Sequence, residues 1–328
     1  MQVSELTTSF RIDGKFYPAV DEVSFAINKD EVFALVGESG SGKSATALSI
    51  TNLHNMNYTR IGGSIVFGER ELIGLTDAEL NKIRGKDIGM IFQDPLSALN
   101  PLMRIGQQIE ESLTYHTSFT TAERKARALE LLENVGMVNP ALTYKQLPHE
   151  LSGGMRQRAM IAIALACKPS FVIADEPTTA LDVTIQAQIL DLLRDLRKEM
   201  RTAVMLITHD LGVVAEMADR VAVMYGGQIV ELAEVHELFK NPQHPYTRSL
   251  LASTPSTEEV TDELKVIKGM VPPLDLMPRT GCRFSARIPW IDASQHEETP
   301  ELREIAPNHF VRCTCYKEFY FETLKEVD

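Results

Sequence analysis

The chain has no apolar run long enough to cross a bilayer, so any membrane role is expected to come through a partner. Basic residues are in deficit. The 33 Lys and Arg against 45 Asp and Glu leave a formal net charge of -12. Without a basic tract, bulk electrostatics argue against nucleic acid as a partner. Cysteine is scarce, with only Cys167, Cys282, Cys313 and Cys315 in 328 residues, which excludes a disulfide framework. The opening Met1-Gln2-Val3-Ser4-Glu5-Leu6 lacks the basic flank and apolar stretch of a signal peptide, so a cytosolic chain is expected. What is present is 44% hydrophobic residue, enough to bury a full core in one large domain or two smaller ones.

The most informative stretch is Gly37-Glu38-Ser39-Gly40-Ser41-Gly42-Lys43-Ser44. Val32 to Val36 before it is short, apolar and β-rich, as a buried parallel strand should be. Ala45 to Leu53 after it reads as a helix. A Gly-rich turn between strand and helix lets backbone N–H groups converge on phosphate oxygens, and the helix N-terminus adds partial positive charge. Lys43 then suits the β- and γ-phosphates, and the Ser44 hydroxyl suits Mg²⁺. The bland alternative is an ordinary Gly/Ser turn. The context favours a nucleoside triphosphate site.

Along the chain, residues 1 to 30 alternate as strands around the hairpin signal Asp13-Gly14. Phe10 and Tyr17 flank that turn, and either ring can stack on a base. Leu75 to Arg84 reads as a helix capped by Thr76 with Glu79 three residues on. Ile88 to Asp94 reads as a buried strand that ends on the polar Gln93, and Ile105 to about Ala166 is mostly helical, which suggests a helical subdomain. Within it, Ser152 can cap a helix while Gly153 and Gly154 leave N–H groups uncovered, a second anion cradle. Phe171 to Ala174 leads to the adjacent acids Asp175 and Glu176. At the carboxyl end of a parallel strand these suit Mg²⁺ and the attacking water respectively. Ala203 to Asp210 reads as a further buried strand ending in His209, placed to contact the γ-phosphate.

In this order the motifs resemble those of ABC transporter nucleotide-binding subunits over roughly residues 1 to 255. Gly37 to Ser44, with Ala45 behind it, is similar to the Walker A motif, and Gln93 to the Q-loop. Leu151-Ser152-Gly153-Gly154-Met155 is similar to the signature, with Met155 in place of the usual Gln. Phe171 to Asp175 resembles Walker B, Glu176 the catalytic Glu, Ala180-Leu181-Asp182 the D-loop, and His209 the switch His. The resemblance implies an α/β P-loop NTPase cassette with a RecA-like core, an antiparallel β subdomain and a helical subdomain over about 95–166. It further implies a head-to-tail dimer in which ATP lies between Walker A of one subunit and the signature of the other. Catalytic roles then fall to Glu176, His209 and Gln93, and Mg²⁺ contacts to Ser44, Gln93 and Asp175. Nucleotide contacts fall to Gly37, Ser39, Gly40, Ser41, Gly42, Lys43, Ser44 and Ala45, with Ser152, Gly153, Gly154 and Asp182. The resemblance also implies an adenine-stacking aromatic, for which Phe10 is preferred over Tyr17.

A closer likeness is to oligopeptide/dipeptide importer ATPases. It rests on Phe92 to Pro101, Gly153 to Arg158, His244-Pro245-Tyr246-Thr247 and Gly281-Cys282-Arg283-Phe284. It implies a paralogous second ATPase subunit, two membrane-spanning permease subunits, an extracellular peptide-binding protein acting indirectly, and a peripheral position on the cytoplasmic face of the membrane. The alternative is an importer of nickel or a metal chelate, which uses a similar ATPase. Chromosome-maintenance ATPases would need long coiled coil or zinc modules between the motifs, and a translation factor would need two cassettes. In this family the C-terminal extension, residues 256–328 here, often carries four Cys for an iron–sulfur cluster. This chain has Ile288 and Gln295 where the second and third would fall, and Cys315 reads as a spare, so no such cluster is expected. The extension, rich in Pro and charge, is expected to pack as a small irregular appendage.

Overall fold

A computed structural model of the chain describes residues 1–179, 182–253 and 269–321. Strand β1, Gln2–Ile12, turns at Asp13-Gly14 into β2, Lys15–Ala26. Both turn residues take positive φ, 48° and 81°, which matches the twist of the strands they join. β3, Val32–Val36, leads through the Gly-rich loop to the helix Lys43–Ile50. β4, Thr59–Phe67, then returns to β1, and the two-residue β5, Arg70–Glu71, completes an antiparallel sheet in the order β2-β1-β4-β5.

The larger sheet contains β3 together with β6 (Ile88–Ile91), β7 (Phe171–Asp175), β8 (Ala203–Thr208), β9 (Arg220–Tyr225), β10 (Gln228–Glu234), β11 (Leu302–Ala306) and β12 (His309–Arg312). Its order is β11-β12-β10-β9-β3-β8-β7-β6. The five strands from β9 to β6 run parallel, and β10, β12 and β11 extend the sheet antiparallel. Continuous apolar runs form the central strands because both faces are covered. Val32, Ala34 and Val36 enter the core on one face, and Phe33 and Leu35 enter the core on the other. β7 divides likewise, Val172 and Ala174 on the first side and Phe171 and Ile173 on the second. Each valine, leucine, isoleucine or phenylalanine among them contributes roughly 1.5–3 kcal/mol of burial, which pins the strand ends that carry the polar residues.

Helices Pro95–Ala98, Ile105–His116, Thr121–Asn134, Pro140–Thr143 and Gly153–Ala164 occupy the chain between β6 and β7. The Thr76–Glu79 capping box forms as expected, but the regular helix is only Asp77–Leu80. Arg84 is drawn instead into tertiary bonds, its Nε donating to Thr51 O at 2.8 Å and Nη2 to Asn52 O at 2.7 Å. Those bonds cover carbonyls at the end of the helix that follows the Gly-rich loop.

The extension is no appendage. Its β11–β12 hairpin pairs with β10, covering what would otherwise be a bare sheet edge. Cys282, Phe284, Ile288, Ile291 and Phe319 join the same core as the helices. A fully buried carboxylate fixes the junction. Glu231 of β10 accepts from the Gln243 and His244 backbone N–H groups, each at 2.8 Å, and lies 2.8 Å from His309 Nε2.

Candidate functional site

The loop geometry is set by two glycines with no room for a side chain. A Cβ on Gly37 would lie 2.2 Å from Met224 O, and one on Gly42 would lie 2.6 Å from Ala19 O. Both also take positive φ, 151° and 106°. Gly42 caps the helix Lys43–Ile50, whose first turn carries no acidic residue, so its N-terminal field is left for an anion.

Lys43 is only 5% exposed, and its Nζ donates to Gly37 O at 2.7 Å and Glu38 O at 3.0 Å. Burial lowers its pKa, opposed by the pull of Glu176, Asp175 and Glu38. Ser44 Oγ donates to Asp175 Oδ1 at 3.1 Å, and burial raises the Asp175 pKa. Glu176 has φ 46°, a left-handed conformation uncommon for a residue with a side chain. Its Oε2 accepts from Gln93 Nε2 at 3.0 Å and Thr179 Oγ1 at 2.8 Å, while His209 Nδ1 lies 3.5 Å from Oε1. The His209 side chain is 63% exposed, so it reaches the carboxylate from the solvent side.

Lys43, Ser44, Gln93 and Glu176 border a cleft of about 500 Å³, within the range of small-ligand sites, whereas Asp175 and His209 do not line it and reach it through Ser44 and Glu176. Phe10, Ser39, Gly40, Gly42, Lys43, Ser44, Ala45, Gln93 and Glu176 line it. Gly37 and Ser41 are buried and do not line it. The Ser41 Oγ has no hydrogen-bond partner among the described residues. Tyr17 pairs with Phe10 across the hairpin but does not line the cleft. Ser152, Gly153, Gly154 and Asp182 lie outside it too. Ser152 caps Gly153–Ala164 by accepting from Met155 N at 3.4 Å, and Ser152 and Gly153 face solvent. Asp182 caps Val183–Met200 by accepting from Ile185 N at 3.0 Å, while Ala180 and Leu181 lie outside the described residues.

A nucleoside triphosphate fits this donor set, with backbone N–H groups and Lys43 facing phosphate and Phe10 at the rim. Ser44 and Asp175 offer oxygen ligands of the kind Mg²⁺ takes. The far wall of the cleft carries no signal in the sequence motifs. Val271, Pro272, Pro273, Leu274 and Met277 close the cleft from the extension, joined by Ala19 and Gly226. The only hint was apolar residues around Pro272-Pro273, which follow neither helical nor strand periodicity. The extension also reaches the loop itself. Arg287 Nη1 donates to both Glu38 carboxylate oxygens, at 2.9 and 3.0 Å, and Glu38 N donates to Tyr246 Oη at 2.7 Å.

Residues 20–179 match the family described as ABC transporter, and residues 230–291 match the one described as oligopeptide/dipeptide transporter, C-terminal region. The chain is 53% identical over 326 residues to the oligopeptide transport ATP-binding protein OppD of Lactococcus lactis subsp. cremoris (strain SK11), covering 99% of this chain and 96% of that relative. The chain belongs to the ABC transporter family of ATP-binding subunits. This ABC subunit is also 50% identical over 319 residues to the oligopeptide transport ATP-binding protein AppD of Bacillus subtilis (strain 168), with 97% of each chain covered. Among solved structures, its fold is similar to the ATP-binding cassette MJ0796 in a dimeric post-hydrolysis state bound to ADP and Pi. That likeness has a TM-score of 0.65 at 30% identity, covering 71% of this ABC subunit and 98% of that chain. The fold class expected from the sequence is therefore the observed one, an ABC cassette fold.

Proposed function

We propose that this chain is the ATP-binding and ATP-hydrolysing subunit that powers a membrane importer of di- or oligopeptides. The observation that carries the chemistry is one cleft holding Lys43, Ser44 and a Glu176 carboxylate braced by Gln93 and Thr179. Lys43 and the loop N–H groups hold the β- and γ-phosphates, and Phe10 meets the base. Glu176 accepts the proton of the attacking water, with Gln93, Thr179 and His209 orienting its carboxylate. Mg²⁺, held by Ser44 and Asp175 with Gln93 nearby, would neutralise charge on the phosphate oxygens.

Ser152, Gly153 and Gly154 do not line their own subunit's cleft, and Ser152 and Gly153 are solvent-facing. Both features support a head-to-tail dimer in which they meet ATP held by a partner cassette, and Asp182 would lie at the same contact. A paralogous chain as that partner, two permease subunits, an extracellular binding protein and the cytoplasmic membrane face complete the proposal. Among the described residues no helix is long and apolar enough to cross a membrane. Peptide is preferred over a nickel chelate because relatives 53% and 50% identical are oligopeptide transport proteins. Vesicles carrying the co-purified membrane complex test this. ATP-dependent uptake of labelled peptide is expected, and ATP-dependent uptake of a nickel chelate without peptide uptake overturns the substrate.

A further inference from the structure

Three segments of the extension converge on one point. Ligand atoms of Cys282, His296, Cys313 and Cys315 all lie within 4.8 Å of one another, and the three cysteines are buried. Cys313 has φ 66°, which bends the chain after β12 so that two thiols two residues apart reach the same place. The segments are clipped together by the backbone. Gly281 N donates to Glu298 O at 2.9 Å, and Thr314 Oγ1 donates to Gln295 O at 3.3 Å. His296 Nδ1 is buried and has no hydrogen-bond partner among the described residues, an orphaned imidazole nitrogen beside three thiols.

The four-thiolate iron–sulfur cluster common in similar extensions does not fit. Its second and third positions hold Ile288, which is fully buried in the apolar core, and Gln295. The thiolates of such a cluster also bind different iron atoms, which spreads them wider than this tight set. A single ion is another matter. Sulfurs about 2.3 Å from one tetrahedral zinc stand about 3.8 Å from each other, which fits inside the 4.8 Å limit on the separation of these atoms. Cys315, a spare in the linear sequence, and His296, next to Gln295, complete a set that the linear spacing hides.

The geometry points to a mononuclear Cys₃His site, in which Cys282, His296, Cys313 and Cys315 hold one tetrahedral zinc ion. Soft thiolates and an imidazole select zinc over Mg²⁺ or Ca²⁺, and four protein ligands leave no open position, so the site is structural. Its place gives it a task. Arg283, next to Cys282, donates to Gly226 O and to Asp21, and Arg287 holds Glu38 of the phosphate loop. The ion would lock the segment carrying both arginines, and through it the wall of the nucleotide cleft.

The test is elemental analysis of the purified full-length chain, with acid-labile sulfide and free-thiol titration alongside. About one zinc per chain and no sulfide is expected, with free thiols rising from one, Cys167, to four on chelation. Cobalt substitution should give the intense visible bands of a tetrahedral thiolate site. Cys315→Ser and His296→Ala should lower zinc content at least about tenfold, whereas His296→Cys and Cys167→Ser should keep it. A chain as purified with several irons and matching sulfide overturns the proposal. So does one with four titratable thiols and no bound metal, or a His296→Ala variant that retains tight zinc.

Discussion

The phosphate loop and the C-terminal extension share one cleft but are built by opposite means. Between Gly37 and Ser44, most of the shape follows from neighbours in the chain: glycines at positive φ, a helix N-terminus, and a lysine folded back on its own loop. In the extension, almost nothing follows from neighbours. Its position rests on Glu231 meeting His309, Arg287 meeting Glu38, and Arg283 reaching Asp21, all far apart in sequence. The lesson is that local chemistry can be read in a motif, while the surface that completes it is set by long-range pairing. Substitutions that separate the two regions sharpen this contrast.

The largest effect is expected at Glu176. Glu176→Gln keeps the hydrogen bonds from Gln93 and Thr179 but removes the acceptor for the water proton, so ATP hydrolysis should fall by about 10³-fold or more. Nucleotide affinity should change little, because the loop is untouched. Steady-state phosphate release and a nucleotide titration measure the two separately, and undiminished turnover removes Glu176 from its role.

On the extension side the largest effect is on stability. Glu231→Ala leaves His309 and two backbone N–H groups buried without their acceptor, a loss of about 3–4 kcal/mol by analogy with broken buried pairs. Chemical denaturation measures it. The pair also sets a pH dependence. The hydrogen bond to Glu231 raises the His309 pKa above 6.5, opposed by burial, and Glu237 lies 3.5 Å from the other ring nitrogen. The folded state therefore holds a proton that the unfolded chain releases near pH 6.5. The stabilisation is complete below that pH and is lost as pH rises through the higher folded value. Melting curves from pH 6 upward should fall for the native chain and flatten in His309→Gln.

Much of the site was legible for the same reason that the loop is. Lys43, Ser44, Asp175, Glu176 and Gln93 sit at strand ends or the first turn of a helix, where apolar periodicity predicts the backbone and the backbone aims the side chain. The parallel strands were readable from unbroken apolar runs. What escaped was decided by partners remote in sequence. The β11–β12 strands are short, and β11 is mostly exposed, so they carry no strong alternation, and they form because β10 offers an unpaired edge. The wall at Val271 to Met277 and the company of His296 with three thiols belong to that docked extension, while the early halt of the helix after Thr76 has a separate remote cause, Arg84 bonding the carbonyls of Thr51 and Asn52.

Lys43→Ala is the next effect in size, and it belongs wholly to the loop. Removing one charged donor to phosphate costs about 2 kcal/mol, roughly thirtyfold in nucleotide affinity. The carbonyls of Gly37 and Glu38 lose their donor as well, so a thermal melt run beside the titration separates any loss of loop stability from the loss of phosphate binding. Fluorescent-nucleotide titration measures the change, and an unaltered affinity contradicts the phosphate role.

The smallest effect tests the contact between the regions. Arg287 meets Glu38 through one nitrogen, with the arginine side chain 10% exposed and the glutamate 31% exposed. Such a pair, half screened by water, is worth about 1 kcal/mol. Arg287→Ala should therefore lower nucleotide affinity by about fivefold while leaving turnover at saturating ATP nearly unchanged, since it acts by positioning the loop rather than by touching the water. Glu38→Gln should show a smaller loss of the same kind, because its backbone N–H still donates to Tyr246 Oη. If both regions are coupled only through this pair, the double variant should lose no more than Arg287→Ala alone. Additive losses would mean that the extension reaches the phosphate loop by a second route, with the wall at Val271 to Met277 the first place to look.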